Sequence, residues 1–497
     1  MLLPVLVFTG FVVSVIGTLG ALMIPTIANA QHVSLETAQW LLTVTLLVGA
    51  VATPFTGRLA DGPFRRYVIL VTLALVLAGS VLAAIAPNFP LLLTGRAFQG
   101  LGQSLIPLAI AVARDKLPAH KLKSGIAILS ITTAAGAGLG YPITGFIAQH
   151  FNYQAGFWFA AIVTAIALLL VYLVVPSNRS VTAKPVDFAG AILLSLALVS
   201  LLLPISQGRS WGWGSDRVVG LLLLSLILTL VWIWQELRTP YPLVELRLIT
   251  RRTVLAADVA ALLIGVALYG MSSLVNRLMQ TPAEAGYGFD SSLVMVGLTL
   301  MPLAFGSVLA SKISMPLTNR IGPGRVLTTG AVVVGLDMLY LSLTRTYRWE
   351  IMIATFVLGI GVGLTFAMMP ALIIRSVPAN ETGSATGLNQ VLRLVGGAMG
   401  SAASIAILSA HTQPGSAIPA SSGYTVAFAA GSLLCFLAAA ICFVLIRETK
   451  AIALPEQPAT LDTDLELLEE EAADAAGAGH TINSGGAASR VSAGYGY

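Results

Sequence analysis

Charge is what this sequence has least of. Lysine, arginine, aspartate and glutamate make up 10% of its 497 residues, against 56% hydrophobic residues and a mean hydropathy of +0.87. So few charges cannot clothe a water-facing exterior, which excludes an ordinary soluble globular protein. Cysteine is almost missing as well. Cys435 and Cys442 are seven residues apart in one apolar run and read as small packing residues, so a disulfide framework is excluded. No His/Cys cluster has metal-ligand spacing and no G-x-x-x-x-G-K-[ST] loop occurs, which argues against a metal, a cofactor and ATP-driven work. No soluble stretch is long enough for an enzyme domain. The chain starts almost directly on an apolar run. A removable signal peptide is therefore not expected, although a trimmed start would also account for the missing N-terminal tail.

What is present is a series of hydrophobic runs of membrane-spanning length. A bilayer needs about 20 apolar residues per helix, and fourteen runs meet that need: 4–27, 38–56, 68–87, 90–112, 123–148, 155–175, 188–206, 217–235, 253–276, 291–312, 326–344, 351–374, 384–409 and 424–446. Lipid offers the backbone no hydrogen-bond partners, so these runs must be helices. Alternate loops differ in charge. One set carries Arg58, Arg65, Arg66, Arg114, Lys116, Lys121, Lys123, Arg179, Lys184, Arg238, Arg247, Arg251, Arg252, Lys312, Arg320, Arg325 and Arg375; the other holds only Arg209, Arg217, Arg277, Arg345 and Arg348. The positive-inside rule places the first set, and both termini, in the cytoplasm. The net charge of +5 reflects this topology rather than nucleic-acid binding. The tail from Arg447 is acidic, and Asp462–Ala476 with its three leucines suits a short helix before a disordered Gly/Ser-rich end.

The chain also repeats itself. The turn Gly57-Arg-Leu59-Ala-Asp61-Gly-Pro-Phe-Arg65-Arg66 follows span 2, and Leu317-Thr-Asn319-Arg320-Ile-Gly322 follows span 10. Leu59 aligns with Leu317 and Asp61 with Asn319. Two six-span units, spans 1–6 and 9–14, would place these turns at equivalent points, with spans 7 and 8 as an inserted pair. Parallel six-helix repeats are one transporter plan, with the site between the halves near the midplane.

Three segments then carry a family resemblance. The turn at 57–66 resembles the first signature of the major facilitator superfamily, G-x-L-a-D-r-x-G-r-k. Leu92–Gly102 is similar to the second, with Arg96, Gln99, Gly100 and Gly102 in place. Gly136–Gly145 is similar to the antiporter signature of the fifth helix. Fourteen spans with a central extra pair resemble the drug:proton antiporter-2 branch, which includes multidrug efflux proteins. The resemblance implies an all-α polytopic membrane protein with the major facilitator fold: a six-helix bundle over 1–175, a linker with two extra helices over 176–252, a second six-helix bundle over 253–446, and a cytoplasmic tail over 447–497. There are departures. Gly62 and Phe64 replace the usual Arg and Gly, Pro142 falls one place late after Tyr141, and Thr144 replaces a glycine. Span 1 reads Val15-Ile16-Gly17-Thr18-Leu19 where this branch carries an acid.

The resemblance implies a conformational latch between the halves at Gly57, Leu59, Asp61, Arg65, Arg66, Asn319, Arg320 and Gly322; topogenic charge alone is the other reading. Arg96, Gln99 and Gln103 are spaced as one polar stripe of span 4. A charge there costs at least about 2.5 kcal/mol on insertion scales, so Arg96 serves either proton transfer or bonds to neighbouring carbonyls. Gly100, Gly102, Gly136, Gly140, Pro142 and Gly145 permit close helix approach, and Asn389, Arg393 and Gly397 place span 13 on a corresponding seam. Asp258 in span 9 and Asp337 in span 11 are the acids inside second-half spans. A carboxylate held from water tends to titrate nearer neutrality, which makes them coupling candidates; an Arg251–Asp258 ion pair is the structural alternative. Tyr269, Met271, Phe366, Met368 and Met369 offer an adaptable apolar substrate wall, or else ordinary core.

The expected function is alternating-access export of hydrophobic, antibiotic-like small molecules, with substrate held between spans 1, 4, 9 and 12 and protons returning. The partners would be a bacterial plasma membrane, the substrate and protons, with the protein a monomer and no nucleic acid involved. Without an acid in span 1, export or uniport of neutral or anionic metabolites or lipids is the alternative, and a membrane scaffold or sensor using the acidic tail is a third.

Overall fold

The computed structural model describes residues 2–33, 35–60, 64–176, 187–240, 242, 244, 246, 251–378, 382–413 and 418–446. The described part belongs to one compact unit, Met1–Glu448. The acidic helix expected at 462–476, and Asp61 of the first turn, lie outside these residues.

Among the described residues the chain is helical apart from one isolated bridge between Thr412 and Pro419. Spans 1, 2 and 3 are Leu2–Ala30, Leu35–Ala60 and Arg65–Ala84. Span 4 has three pieces, Phe89–Gly100, the 3-10 turn Leu101–Ser104, and Leu105–Lys116. Spans 5 to 9 are Ala119–His150, Tyr153–Val174, Phe188–Trp211, Asp216–Arg238 and Arg252–Gln280. Span 10 joins Leu293–Leu300 to Pro302–Ile321, and spans 11 to 14 are Pro323–Leu343, Arg348–Ser376, Thr382–Ala410 and Ser421–Leu445. Thirteen of these are long and apolar enough to cross a membrane, span 10 with its two helices taken together. Span 4 is the fourteenth, and its break has a local cause. Pro107 has no N–H to give the carbonyl of Gln103, and its ring crowds that carbonyl. The turn before it therefore tightens to 3-10 geometry.

The short connections start helices with side-chain caps. Asn88 accepts from the Leu91 N–H at 3.0 Å, Asn152 from Ala155 at 3.0 Å, and Asp187 from Gly190 at 2.8 Å. Each satisfies one N–H that the first turn leaves unpaired. Outward-facing positions are apolar. Leu173, Leu343, Leu433 and Phe443 are 68%, 74%, 69% and 70% exposed, as suits a lipid rather than a water boundary.

Two large cores organise the helices. One is built from spans 1 to 6, around residues such as Leu19, Leu73, Leu108 and Phe157; span 1 packs on span 5, and span 3 on spans 4 and 6. The other is built mainly from spans 9 to 14, around Ile264, Val334, Phe366 and Phe428, with span 9 on span 13, span 11 on span 14, and span 10 on span 12; Leu22 of span 1 and Ala127, Ile131, Ala134 and Tyr141 of span 5 also pack into it. A third, smaller cluster joins Leu194, Leu198 and Leu202 of span 7 and Trp232 of span 8 to Ala50 of span 2 and Leu388, Val391 and Leu394 of span 13. The extra pair thus lies along the line where span 2 meets span 13.

One side chain pins the second core at its outer edge. Arg345, in the turn after span 11, donates to the carbonyls of Leu341 and Ser342 at 3.2 Å. Its other nitrogen reaches the Ser421 carbonyl and hydroxyl at 2.7 Å and Thr425 Oγ1 at 2.9 Å. It closes the C-terminal carbonyls of span 11 and ties them to the start of span 14. Arg345→Met keeps the bulk and removes the donors. It is expected to lower unfolding stability by about 2 kcal/mol, read as the thermal midpoint of the purified protein in detergent.

Candidate functional site

The halves meet chiefly where span 13 lies on span 2 and where spans 10 and 12 lie on span 5, and two of these lines are made by glycine. On the first, span 13 lies against span 2. A Cβ on Gly57 would stand 3.0 Å from the Gly383 carbonyl, and one on Gly387 3.6 Å from the Thr53 carbonyl. On the second, span 5 lies against span 10. A Cβ on Gly138 would meet Ala304 N at 2.5 Å, one on Gly145 the Leu293 carbonyl at 2.5 Å, and one on Gly297 the backbone of Pro142 at 2.7 Å. At these points backbone meets backbone, beside side chains that also pack across the seam, Ala50 on Leu388 and Val391, and Ile131, Ala134 and Tyr141 on the second core.

The small residues singled out in the sequence divide on this geometry. Gly145 and Pro142 lie between the halves. Gly136 and Gly140 instead face Ser14 and Thr18 of span 1, Gly100 faces Thr45 of span 2, and Gly102 faces Val13 and Val76. These four knit the first half to itself, because span 5 presents one stripe to span 1 and a different one to span 10. Gly397 faces Tyr269 within the second half.

Arg96 is fully buried at the heart of the first half. It donates to the carbonyls of Ile16 at 3.1 Å and Leu41 at 3.2 Å and to Gln99 Oε1 at 2.8 Å. Gln99 passes the chain on to Ser80 Oγ of span 3 at 2.8 Å. Arg96 is held by backbone of its own half, and one nitrogen, Nη2, has no hydrogen-bond partner among the described residues. The expected stripe of three is split by the 3-10 turn: Gln99 looks toward span 3, while Gln103 packs on Gly49 of span 2 and Gly17 of span 1.

At the basic end, the expected latch pairs differently from the sequence reading. Arg65 forms its ion pair with Asp115 and also donates to the Ala60 carbonyl, and Arg66 donates to the Tyr172 carbonyl at 2.7 Å with its guanidinium over that ring. All of these partners are in the first half, so neither arginine reaches across. Leu59 is half-buried, and Asn319 and Arg320 are exposed at the end of span 10. Gly322 ends that helix with φ +84°, a conformation that favours glycine. The group that does cross is Arg114, which the motif reading passed over. It donates to Thr382 Oγ1 and to the carbonyls of Ile374, Val377 and Pro378 at 3.4 Å. These are the open carbonyls at the end of span 12, where a cation is favoured. Arg251 of span 9 reaches the Ser376 carbonyl beside them. Arg114→Gln is expected to loosen this end, raising maleimide labelling of a Ser384→Cys reporter by about tenfold, equivalent to about 1.4 kcal/mol. Both natural cysteines are buried, so background labelling should be low.

Inside the second half, Asp258 is 3% exposed. Its Oδ1 accepts from Asn389 Nδ2 at 2.9 Å, and the same nitrogen reaches the Ala257 carbonyl at 3.0 Å. Asp258 is thus joined to span 13 rather than to Arg251. Asp337 is also buried, with one oxygen unpartnered among the described residues. Its near neighbour is Cys435 of span 14, so it faces into its own half. Arg393 sets its guanidinium 4.3 Å over the Phe366 ring. Met271, Phe366 and Met369 are fully buried, Met368 accepts from Thr318 Oγ1 at 3.2 Å, and Tyr269 lies against Gly397. In this arrangement these five are packed side chains rather than an open wall. Tyr141 of span 5 lies beside Ser272 and Tyr269 of span 9, closing the seam from the other side.

The sequence and the fold have relatives. The family model described as Major Facilitator Superfamily matches residues 6–401. The chain is 27% identical over 394 residues to the tetracenomycin C resistance and export protein of Streptomyces glaucescens, covering 78% of this chain and 71% of that one. It is 25% identical over 404 residues to the multidrug transporter protein MdtP of Bacillus subtilis, covering 80% and 73%. Among solved structures, the human organic anion transporter MFSD10 superposes with a TM-score of 0.60 at 14% identity, covering 88% of this chain and 98% of that one. A POT family transporter superposes with a TM-score of 0.62 at 15% identity, covering 89% and 95%.

Proposed function

This chain belongs to the Major Facilitator Superfamily of membrane transporters, and from that premise we propose that it exports hydrophobic, antibiotic-like small molecules in exchange for protons. The observation that carries this reading is the seam. Spans 2 and 13, and spans 5 and 10, meet through glycine and backbone, while most of each core lies within one half. Two rigid bodies joined this way can part at one end and close at the other, which is what alternating access requires. The polar groups needed for work inside a membrane, Arg96, Asp258 and Asn389, are buried in the helices that flank the seam. The relatives with export and multidrug names support the substrate class.

The basic end lies in the cytoplasm by the positive-inside rule, with both termini on that side, in the plasma membrane of a bacterium, and the protein works as a monomer. Arg114 closes that end in the state described here. Coupling rests on Asp258, since span 1 offers no acid. That same gap favours a second reading, uniport or export of neutral or anionic compounds without proton exchange.

Reconstituted vesicles decide between them. With an imposed pH gradient and a panel of cationic, neutral and anionic lipophilic compounds, the first reading expects movement that follows the gradient. Movement indifferent to the gradient selects the second reading. No movement of any compound overturns export of this class.

A further inference from the structure

Gln390 stands out among the side chains that the transport reading leaves unused. It is 2% exposed, and both ends of its carboxamide, Nε2 and Oε1, are buried without a hydrogen-bond partner among the described residues. More than nine-tenths of buried polar groups in proteins are paired, and leaving one unpaired costs about 1–3 kcal/mol. A leucine of similar size would fill the same volume without that cost. The position is therefore occupied by a group whose two donors and one acceptor are all unused.

Its place on span 13 is fixed by its neighbours. Gly387 is one turn before it and Gly383 two turns before, and both meet span 2 of the other half. Asn389, one residue away, turns instead to Asp258 of span 9. Residues three and seven apart share a helix stripe, so Gln390 lies on the stripe of span 13 that faces the opposite half.

We infer that Gln390 is the residue that recognises the transported molecule, and that it takes a neutral group presenting a donor beside an acceptor, such as a lactam, imide or primary carboxamide edge. The inference rests on the export reading above. A carboxamide matches such an edge with one N–H donated and one carbonyl accepting. Asp258 is bonded to Asn389, and Arg393 lies over the Phe366 ring. A charged ligand group would gain no ion pair from the carboxamide, whereas a neutral edge recovers the two unused bonds.

The test uses naphthalimide, a fluorescent imide, and its N-methyl derivative, which lacks the donor. Both are titrated against the purified full-length protein, and both are followed in vesicles under a pH gradient. Wild type is expected to bind naphthalimide about tenfold more tightly than the N-methyl compound. Gln390→Leu should erase that difference by weakening naphthalimide alone, and Gln390→Asn should restore part of it. Equal affinity of wild type for the two compounds, binding of neither, or parallel loss of both in Gln390→Leu would each overturn the inference. Gradient-driven transport without discrimination would leave the export reading standing while removing this one. Movement of neither compound, nor of any in the wider panel, would remove both.

Discussion

Asp258→Asn is expected to reduce pH-gradient-driven efflux in vesicles to the level of passive leak, a loss of well over about tenfold, equivalent to more than about 1.4 kcal/mol. Substrate counterflow, which needs no net proton movement, should change by less than about twofold. The argument is one of position. Ionisable groups inside a membrane are costly and tend to be functional, and the described spans leave few to choose from. Arg96 is bonded to carbonyls of spans 1 and 2. Asp337 faces Cys435 within its own half. Glu350 caps the start of its own helix, and Glu236 accepts from the Val244 N–H. Asp258 is a buried acid tied directly to a helix of the seam, through Asn389. Asparagine preserves its shape and its acceptor but cannot hold a charge. Asp337→Asn should leave gradient-driven efflux within about twofold of wild type. Loss of counterflow together with efflux in Asp258→Asn would instead make Asp258 a substrate ligand or a structural residue.

A valine at Gly138 is expected to abolish transport while leaving the protein folded. The added Cβ would stand 2.5 Å from Ala304 N and 2.9 Å from Ala304 Cβ, and these atoms belong to the opposite half. Such a clash is relieved by parting the halves, which draws span 5 away from the second core without repacking the helices inside either half. The purified variant should stay monodisperse, with a thermal midpoint near that of wild type and transport reduced by more than about tenfold, because the closed form of this seam is denied to it. Gly396→Val makes the instructive contrast. Its Cβ would run into the Leu262 carbonyl, and both residues belong to the second half. No rigid-body motion relieves that contact. Overpacking of this kind costs about 1–3 kcal/mol or more, so Gly396→Val should lower yield and thermal midpoint rather than transport per folded molecule. Equal stability loss in the two variants would remove the distinction between contacts within a half and contacts between halves.

Much of the fold can be read from hydropathy, because the bilayer sets helix length and forbids other backbone arrangements. Rotation of each helix about its axis is less visible. Gly136, Gly138, Gly140 and Gly145 look alike as a run of small residues, yet two face span 1 and two face span 10. The neighbouring helices decide that, and a single sequence does not list neighbours. The stripe Arg96–Gln99–Gln103 assumes an unbroken helix; Pro107, four residues past Gln103, is the signal that it is broken. Arg65 was legible as a charge in the right turn, but its partner Asp115 is 50 residues away. Arg114 carries no motif at all. Its importance comes from the carbonyls of span 12, and backbone carbonyls leave no mark in the sequence.

The 3-10 turn at Leu101–Ser104 has a mechanical consequence. A 3-10 residue rises about 2.0 Å and turns about 120°, against about 1.5 Å and 100° in an α-helix. If these four residues relaxed to α geometry, span 4 would shorten by about 2 Å and its two ends would counter-rotate by about 80°. One end is clamped where Arg96 grips spans 1 and 2. The other carries Arg114, whose fingers lie on the end of span 12. Span 4 is therefore a strut with a gear in its middle: a small change of winding beside Gln103 would be delivered, as both stroke and twist, to the place where one half holds the other.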